Sequence, residues 1–272
     1  MTQEPPPGRG ATNGSRFDVG TIRLEGLTFL DLDEQAFVEL IVAEARAGRG
    51  GWVVTPNADI MRQAHEDPGI HALLASADAL VADGMPLIWA SRLQKTPLRG
   101  GRICGSDLIF SLPAAAARAN LSVYLLGGAG DTAERTAEIL TTANPTLRIV
   151  GTYSPPFGFE KKPEQIEQMR RLVADAKPDV VFVALSFPKG ERLIQQIRDA
   201  RPNAWWLGVG AAFDFVSGDI RRAPGWMQAT GTEWMFRLLQ SPKRLTSRYL
   251  VHDVPYVLRL LGGSLTRRFG SP

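Results

Sequence analysis

Cysteine is all but missing from this chain: Cys104 is the single one among 272 residues. That excludes an internal disulfide framework and a cysteine-based zinc site, and it suits a reducing cytoplasm. Histidine is nearly as scarce. His65, His71 and His252 are too few and too scattered for a metal cluster and read as surface helix residues. No stretch approaches eighteen uninterrupted apolar residues, so no membrane-spanning helix is expected. The opening MTQEPPPGRGATNGSR lacks the apolar core of a signal peptide. Residues 1–15 therefore read as a disordered cytoplasmic tail.

What is present supports an ordinary globular core: 44% of residues are hydrophobic and 22% charged. From Trp52 onward, short apolar runs alternate with helical periodicity. The runs are WVVTP (52–56), ALVADG (79–84), VYLLGG (123–128), RIVGTY (148–153), VVFVALSF (180–187) and WWLGVG (205–210). Asp131 and Pro163 stand where helix starts are expected. A strand or hairpin near Val19–Leu24 precedes a first helix at about Asp33–Ala47. This alternation predicts a Rossmann-like α/β fold, a mostly parallel sheet flanked by helices, over residues 16–219.

After Asp219 no further buried strand run occurs. Residues 220–272 read as a small basic helical appendage, three helices separated by Gly231, Pro242 and Pro255. From Glu233 to the end there are seven Lys/Arg and two acidic residues, whereas the preceding part has 24 and 26. The positive excess thus lies in the tail, and it wants an anionic partner. The dense Leu, Trp and Tyr content among those charges favours an anionic membrane surface over nucleic acid. Association with a second copy through this apolar segment stays open.

Ligands of open parallel sheets bind outside the carboxyl ends of the strands. Thr55 and Asn57 follow the first run, Asp83 the second, the Gly127–Gly128 loop the third, Lys189 and Glu191 the fifth, and Asp214 the sixth. The glycine loop resembles a phosphate cradle opening on a helix N-terminus; the plain alternative is a tight turn. Asp83 is placed to take a proton from an attacking hydroxyl, or else Asp-Gly only makes the turn. Asn57 and Asp107 are each candidate N-caps. Arg99 and Arg102, in a Gly-rich loop, could match a diphosphate; the plain alternative is an exposed pair of loop arginines. No D-x-D stands in the expected place; Asp31 and Asp33 open a surface helix, so no metal is implied and no cofactor is expected. A nicotinamide oxidoreductase would need G-x-G-x-x-G where this chain has Thr55-Pro56-Asn57.

Taken in order, TPNADIMRQAHEDP, ADALVADGMPL, RICGSDL, VYLLGGAGDTAE, VVFVALSFPKGER, WLGVGAAFDFVSGDIRRAPGWM and GTEWMFRLLQSPKRLTSRYL resemble the WecG/TagA/CpsF glycosyltransferase family. The resemblance covers about Gly51–Leu261. It implies transfer from a UDP-sugar donor to an undecaprenyl-diphosphate-linked glycan in cell-envelope polysaccharide assembly, with inversion and without metal, at the inner face of the membrane. It also implies Asp83 as the catalytic residue, and Thr55, Asn57, Arg102, Gly127, Gly128 and Asp214 in the substrate pocket. Lys189, Glu191 and Asp107 sit within the matching motifs. Arg221, Arg222, Lys243, Arg244 or Arg248 is expected to fold back over the site. One departure stands out: the family's P-K-Q-E reads Pro188-Lys189-Gly190-Glu191 here. The missing glutamine leaves a catalytically weakened UDP-sugar-binding or scaffold protein as the alternative.

Overall fold

The computed structural model describes residues 16–230, 232–240, 242 and 246–269. The tail expected at 1–15 lies outside these, as do Gly231, Lys243, Arg244 and the side chain of Arg248.

Strands β1 (Thr21–Leu24) and β2 (Leu27–Leu30) pair as an antiparallel hairpin. Glu25 and Gly26 between them take φ of 49° and 83°, the left-handed pair that a two-residue hairpin turn matched to strand twist requires. Asp33 then caps α1 (Glu34–Arg46), its carboxylate accepting from Ala36 N at 2.8 Å.

The main sheet is parallel throughout. Its strands are β3 (Gly51–Val54), β4 (Ala79–Leu80), β5 (Ser122–Gly127), β6 (Arg148–Tyr153), β7 (Val180–Ala184) and β8 (Trp205–Gly208), in the order β4-β3-β8-β7-β5-β6. All six apolar runs of the sequence are therefore strands. The helices are α2 (Ala58–Glu66), α3 (Pro68–Ala75), α4 (Met85–Leu93), α5 (Gly105–Arg118), α6 (Thr132–Ala143), α7 (Pro163–Ala176), α8 (Lys189–Ile197) and α9 (Ala212–Val216).

Side chains alternate along each strand, so the sheet feeds two cores. Trp52, Val54, Leu126, Val181, Val183 and Trp206 point into one, which α2, α3, α4, α7 and α8 cover. Val53, Val123, Leu125, Phe182, Trp205 and Leu207 point into the other, which α1, α5, α6 and α9 cover.

Beyond the sheet come α10 (Gly225–Thr230) and α11 (Glu233–Gln240). A π-helical turn at Ser247–Asp253 leads into the C-terminal helix, Val254–Phe269. The break expected at Pro255 does not occur: the helix runs through it. Proline cannot donate to the carbonyl four residues back, and its ring crowds that carbonyl. The wider turn immediately before it relieves both demands. Tyr256, Leu260 and Ser264, spaced four apart, are buried, and the helix packs on α4. Tyr256 and Leu260 thereby join the first core.

Candidate active site

The carboxyl edge of the sheet is held together by backbone bonds between distant segments. Asp83 N donates to Pro56 O at 2.9 Å, and Ile103 N to Ala82 O at 2.9 Å. These two bonds bring the Thr55–Asn57 turn, Asp83 and the Arg102–Cys104 segment side by side. Gly84 then turns the chain with φ of 119°, a conformation a side chain resists, and α4 starts at once.

A cavity of about 380 Å³ opens over this edge. Its polar side carries Asn57, Asp59, Asp83, Arg102, Ser106, Glu233 and Asp253. Its apolar side carries Met85, Pro86 and Trp89 from α4, Trp234 from α11, Tyr249 from the π turn, and Val254, Val257 and Leu258 from the C-terminal helix. The segment after residue 219 therefore supplies about half of the wall.

Ion pairs fasten that segment to the sheet edge. Arg102 Nη1 donates to Glu233 Oε2 at 3.4 Å, and its Nη2 lies 3.7 Å from Asp107 Oδ2. Arg222 Nη2 approaches Asp107 Oδ1 to 2.5 Å, off the hydrogen-bond axis, while its Nη1 donates to Ser106 O at 3.2 Å. On the opposite flank Arg62 bridges Asp59 at 2.8 Å and Asp253 at 3.2 Å. Burial works against the charge on Arg102, but the carboxylates of Asp83, Asp107 and Glu233 around it hold its pKa above the ordinary value. Burial, and then the neighbouring carboxylate of Asp83, push the Cys104 thiol well above its usual range. Cys104 is thus a neutral thiol pressed against Asp83.

The sequence-derived candidates divide into two groups. Asp83, Asn57 and Arg102 line the cavity together. Asn57 also caps α2, its Oδ1 accepting from Ile60 N at 3.1 Å, so the capping reading holds. Thr55 is buried just behind. Asp107 sits in the first turn of α5 but is not its cap, since Cys104 occupies that position; its carboxylate serves Arg102 and Arg222 instead.

The second group does not line this cavity. Gly127 (φ 116°) is required by a close approach, because a Cβ there would stand 2.4 Å from Ala184 O. Gly128 N donates to that same oxygen at 2.9 Å, and α6 begins four residues on. Lys189 Nζ pairs with Glu160 at 2.9 Å beside the rings of Phe157 and Phe159. Asp214 lies in α9, where its carbonyl accepts from Ile220 N. The exposed Arg221 contributes its carbonyl to Gln240 Nε2 at 2.9 Å, which ties α11 back. Glu191 is buried in α8 with Oε2 lacking a hydrogen-bond partner, and burial raises its pKa to about 7. At Gly190 a Cβ would lie 3.3 Å from Leu185 O, tight but not barred.

No local sequence pattern marks Asp59, Trp89, Glu233, Trp234, Tyr249 and Asp253 as site residues. For two of them a compositional signal exists: Glu233 and Asp253 are the only acids in a stretch with seven bases. Among the described residues no three His, Cys, Asp or Glu side chains are grouped to hold a metal ion.

The Glycosyl transferase WecG/TagA/CpsF family matches residues 22–270. The chain belongs to this family. It is a glycosyltransferase. The match runs from the hairpin to the last described turn, so the C-terminal wall of the cavity is part of the family unit. A Bacillus spizizenii (strain W23) protein named N-acetylglucosaminyldiphosphoundecaprenol N-acetyl-beta-D-mannosaminyltransferase is similar, with 34% identity over 219 residues, 80% of this chain and 82% of that protein.

Proposed function

We propose that this glycosyltransferase moves a sugar from a UDP-sugar to an undecaprenyl-diphosphate-linked saccharide, with inversion and without a metal ion. The observation that carries the reading is the shared cavity of Asp83 and Arg102, walled on one side by apolar residues of the C-terminal segment. The name of the Bacillus relative supplies the acceptor class and puts N-acetylmannosamine first among donor sugars.

In this reading the acceptor hydroxyl attacks the anomeric carbon from the face opposite the nucleotide. Asp83 takes the hydroxyl proton as the new C–O bond forms and the bond to the diphosphate breaks. Such a base contributes about 10²–10⁴-fold. The departing UDP carries the negative charge away. Arg102 and the N-terminal turn of α6, where it follows the Gly127–Asp131 loop, are the candidates to receive diphosphate charge. The carboxylates beside Arg102 and Arg62 are engaged by those arginines, so a cation would have to displace them.

No described helix is long and apolar enough to cross a bilayer. Trp226, Leu239, Leu250 and Val251 are nevertheless exposed on the C-terminal segment. Together with the basic excess there, they fit reversible docking on the anionic inner face of the membrane.

The test is direct. The purified protein is incubated with a short-chain prenyl-diphosphate saccharide and, separately, with UDP-linked N-acetylmannosamine, its uronic acid, glucuronic acid and glucose. A product heavier by one sugar residue with one donor supports the reading. UDP binding without product on any pair supports the non-catalytic alternative.

A further inference from the structure

The cavity has a side that proton transfer and diphosphate binding leave unused. Met85 and Trp89 of α4, Trp234, Tyr249, and Val257 and Leu258 of the C-terminal helix form its apolar wall. Trp89 is 39% exposed and Leu258 65%, although α4 and the C-terminal helix pack directly on each other and bury Leu87 and Leu260. Clustered large apolar side chains at such exposure mark a binding surface. Trp234 and Tyr249 meet edge to face, with centroids 6.1 Å apart and an interplanar angle of 81°, which gives the wall a fixed aromatic end.

We propose that this wall is a subsite for the first isoprene units of the acceptor's polyprenyl chain, an inference that rests on the acceptor class proposed above. An acceptor of that class has three chemically different parts joined in order: saccharide, diphosphate and branched hydrocarbon. The cavity offers a counterpart to its two ends: Asp83 suits the attacking hydroxyl of the saccharide, and the wall suits the hydrocarbon. Methyl-branched chains gain dispersion contact against aromatic and aliphatic faces. The subsite would sort lipid-linked saccharides from soluble glycans before chemistry begins, independently of any bilayer.

Calorimetric titration of the intact protein, free of detergent and vesicles, compares farnesyl diphosphate with inorganic diphosphate. Burial of only a few methylene equivalents is worth at least about tenfold, so farnesyl diphosphate is expected to bind at least about tenfold more tightly. Leu258→Ser and Trp89→Ser should each bring that ratio towards one. Leu258 is mostly exposed, so an unchanged melting temperature for its variant separates lost binding from lost folding. Equal affinities in the wild type, a ratio preserved in both variants, or a preference seen only once vesicles are added would overturn the subsite. The proposed function fails differently. A farnesyl preference lost in both variants, with no sugar transfer to any prenyl-diphosphate saccharide, keeps the subsite and removes the transfer reading.

Discussion

Glu191 shows how a single side chain links fold to pH. It is buried, one carboxylate oxygen lacks a partner, and burial raises its pKa to about 7. A carboxyl whose pKa is raised on folding binds more protons in the folded state. Its contribution therefore stabilises below about 4.5, is lost as pH rises through about 7, and falls across the window between. Glu191→Gln should flatten that part of the stability profile, as read by denaturant midpoints from pH 5 to 8; an unchanged slope would show that Glu191 titrates normally. At Arg102 the expectation concerns charge. Lysine keeps the charge but loses the planar fork that matches a diphosphate. Arg102→Lys should raise the KM for the UDP-sugar by roughly tenfold, as steady-state kinetics would show, and an unchanged KM would take the diphosphate away from Arg102.

Elements reveal why some of the site was legible in the sequence and some was not. Strand runs ending in Thr55-Pro56-Asn57 and Asp83-Gly84 announce a carboxyl edge, because apolar strands and their turn residues are local signals. Asn57 as a helix start is local too. The wall made by Trp89, Trp234, Tyr249 and Asp253 depends on a helix returning more than 150 residues later to pack on α4, and no local pattern encodes that return. Pro255 follows the same logic: proline signals a break locally, but burial of Tyr256 and Leu260 favours a continuous helix with a π turn. Two variants test these elements. Asn57→Ala should cost about 1 kcal/mol through loss of the α2 cap, a fall of roughly 2–4 °C in melting temperature. Asn57→Ser should keep the cap. If its turnover still drops, Asn57 touches substrate; if turnover is intact, capping is its whole role. Asp253→Ala should cost roughly 1.5–3 kcal/mol, the worth of a hydrogen bond to a charged group, because Asp59 and Glu66 still hold Arg62. Hydrogen exchange should then quicken across 246–260, and unaltered protection there would show that the Arg62 bridge does not secure the π turn.

For the molecule as a whole, the charge asymmetry and the exposed apolar residues of the C-terminal segment predict binding to anionic vesicles that weakens with salt, since each basic residue near such a surface is worth about 1 kcal/mol and is screened. Sedimentation with vesicles at low and high ionic strength checks this; absence of binding at both would remove the docking role. Deleting residues 220–272 should abolish turnover even on a soluble acceptor, because the cavity loses Glu233, Trp234, Tyr249 and Asp253. It should also lower the melting temperature, because Tyr256 and Leu260 leave the core. Turnover should survive EDTA, and an enzyme silenced by chelator and restored by magnesium or manganese would place a cation at the diphosphate. The most direct measurement is the single-turnover rate of wild type against Asp83→Asn, at saturating UDP-sugar and prenyl-diphosphate saccharide. Asparagine keeps the size but not the basicity, so the rate should fall by about 10²–10⁴-fold while UDP affinity barely changes; a rate within a few-fold of wild type would contradict catalysis by Asp83.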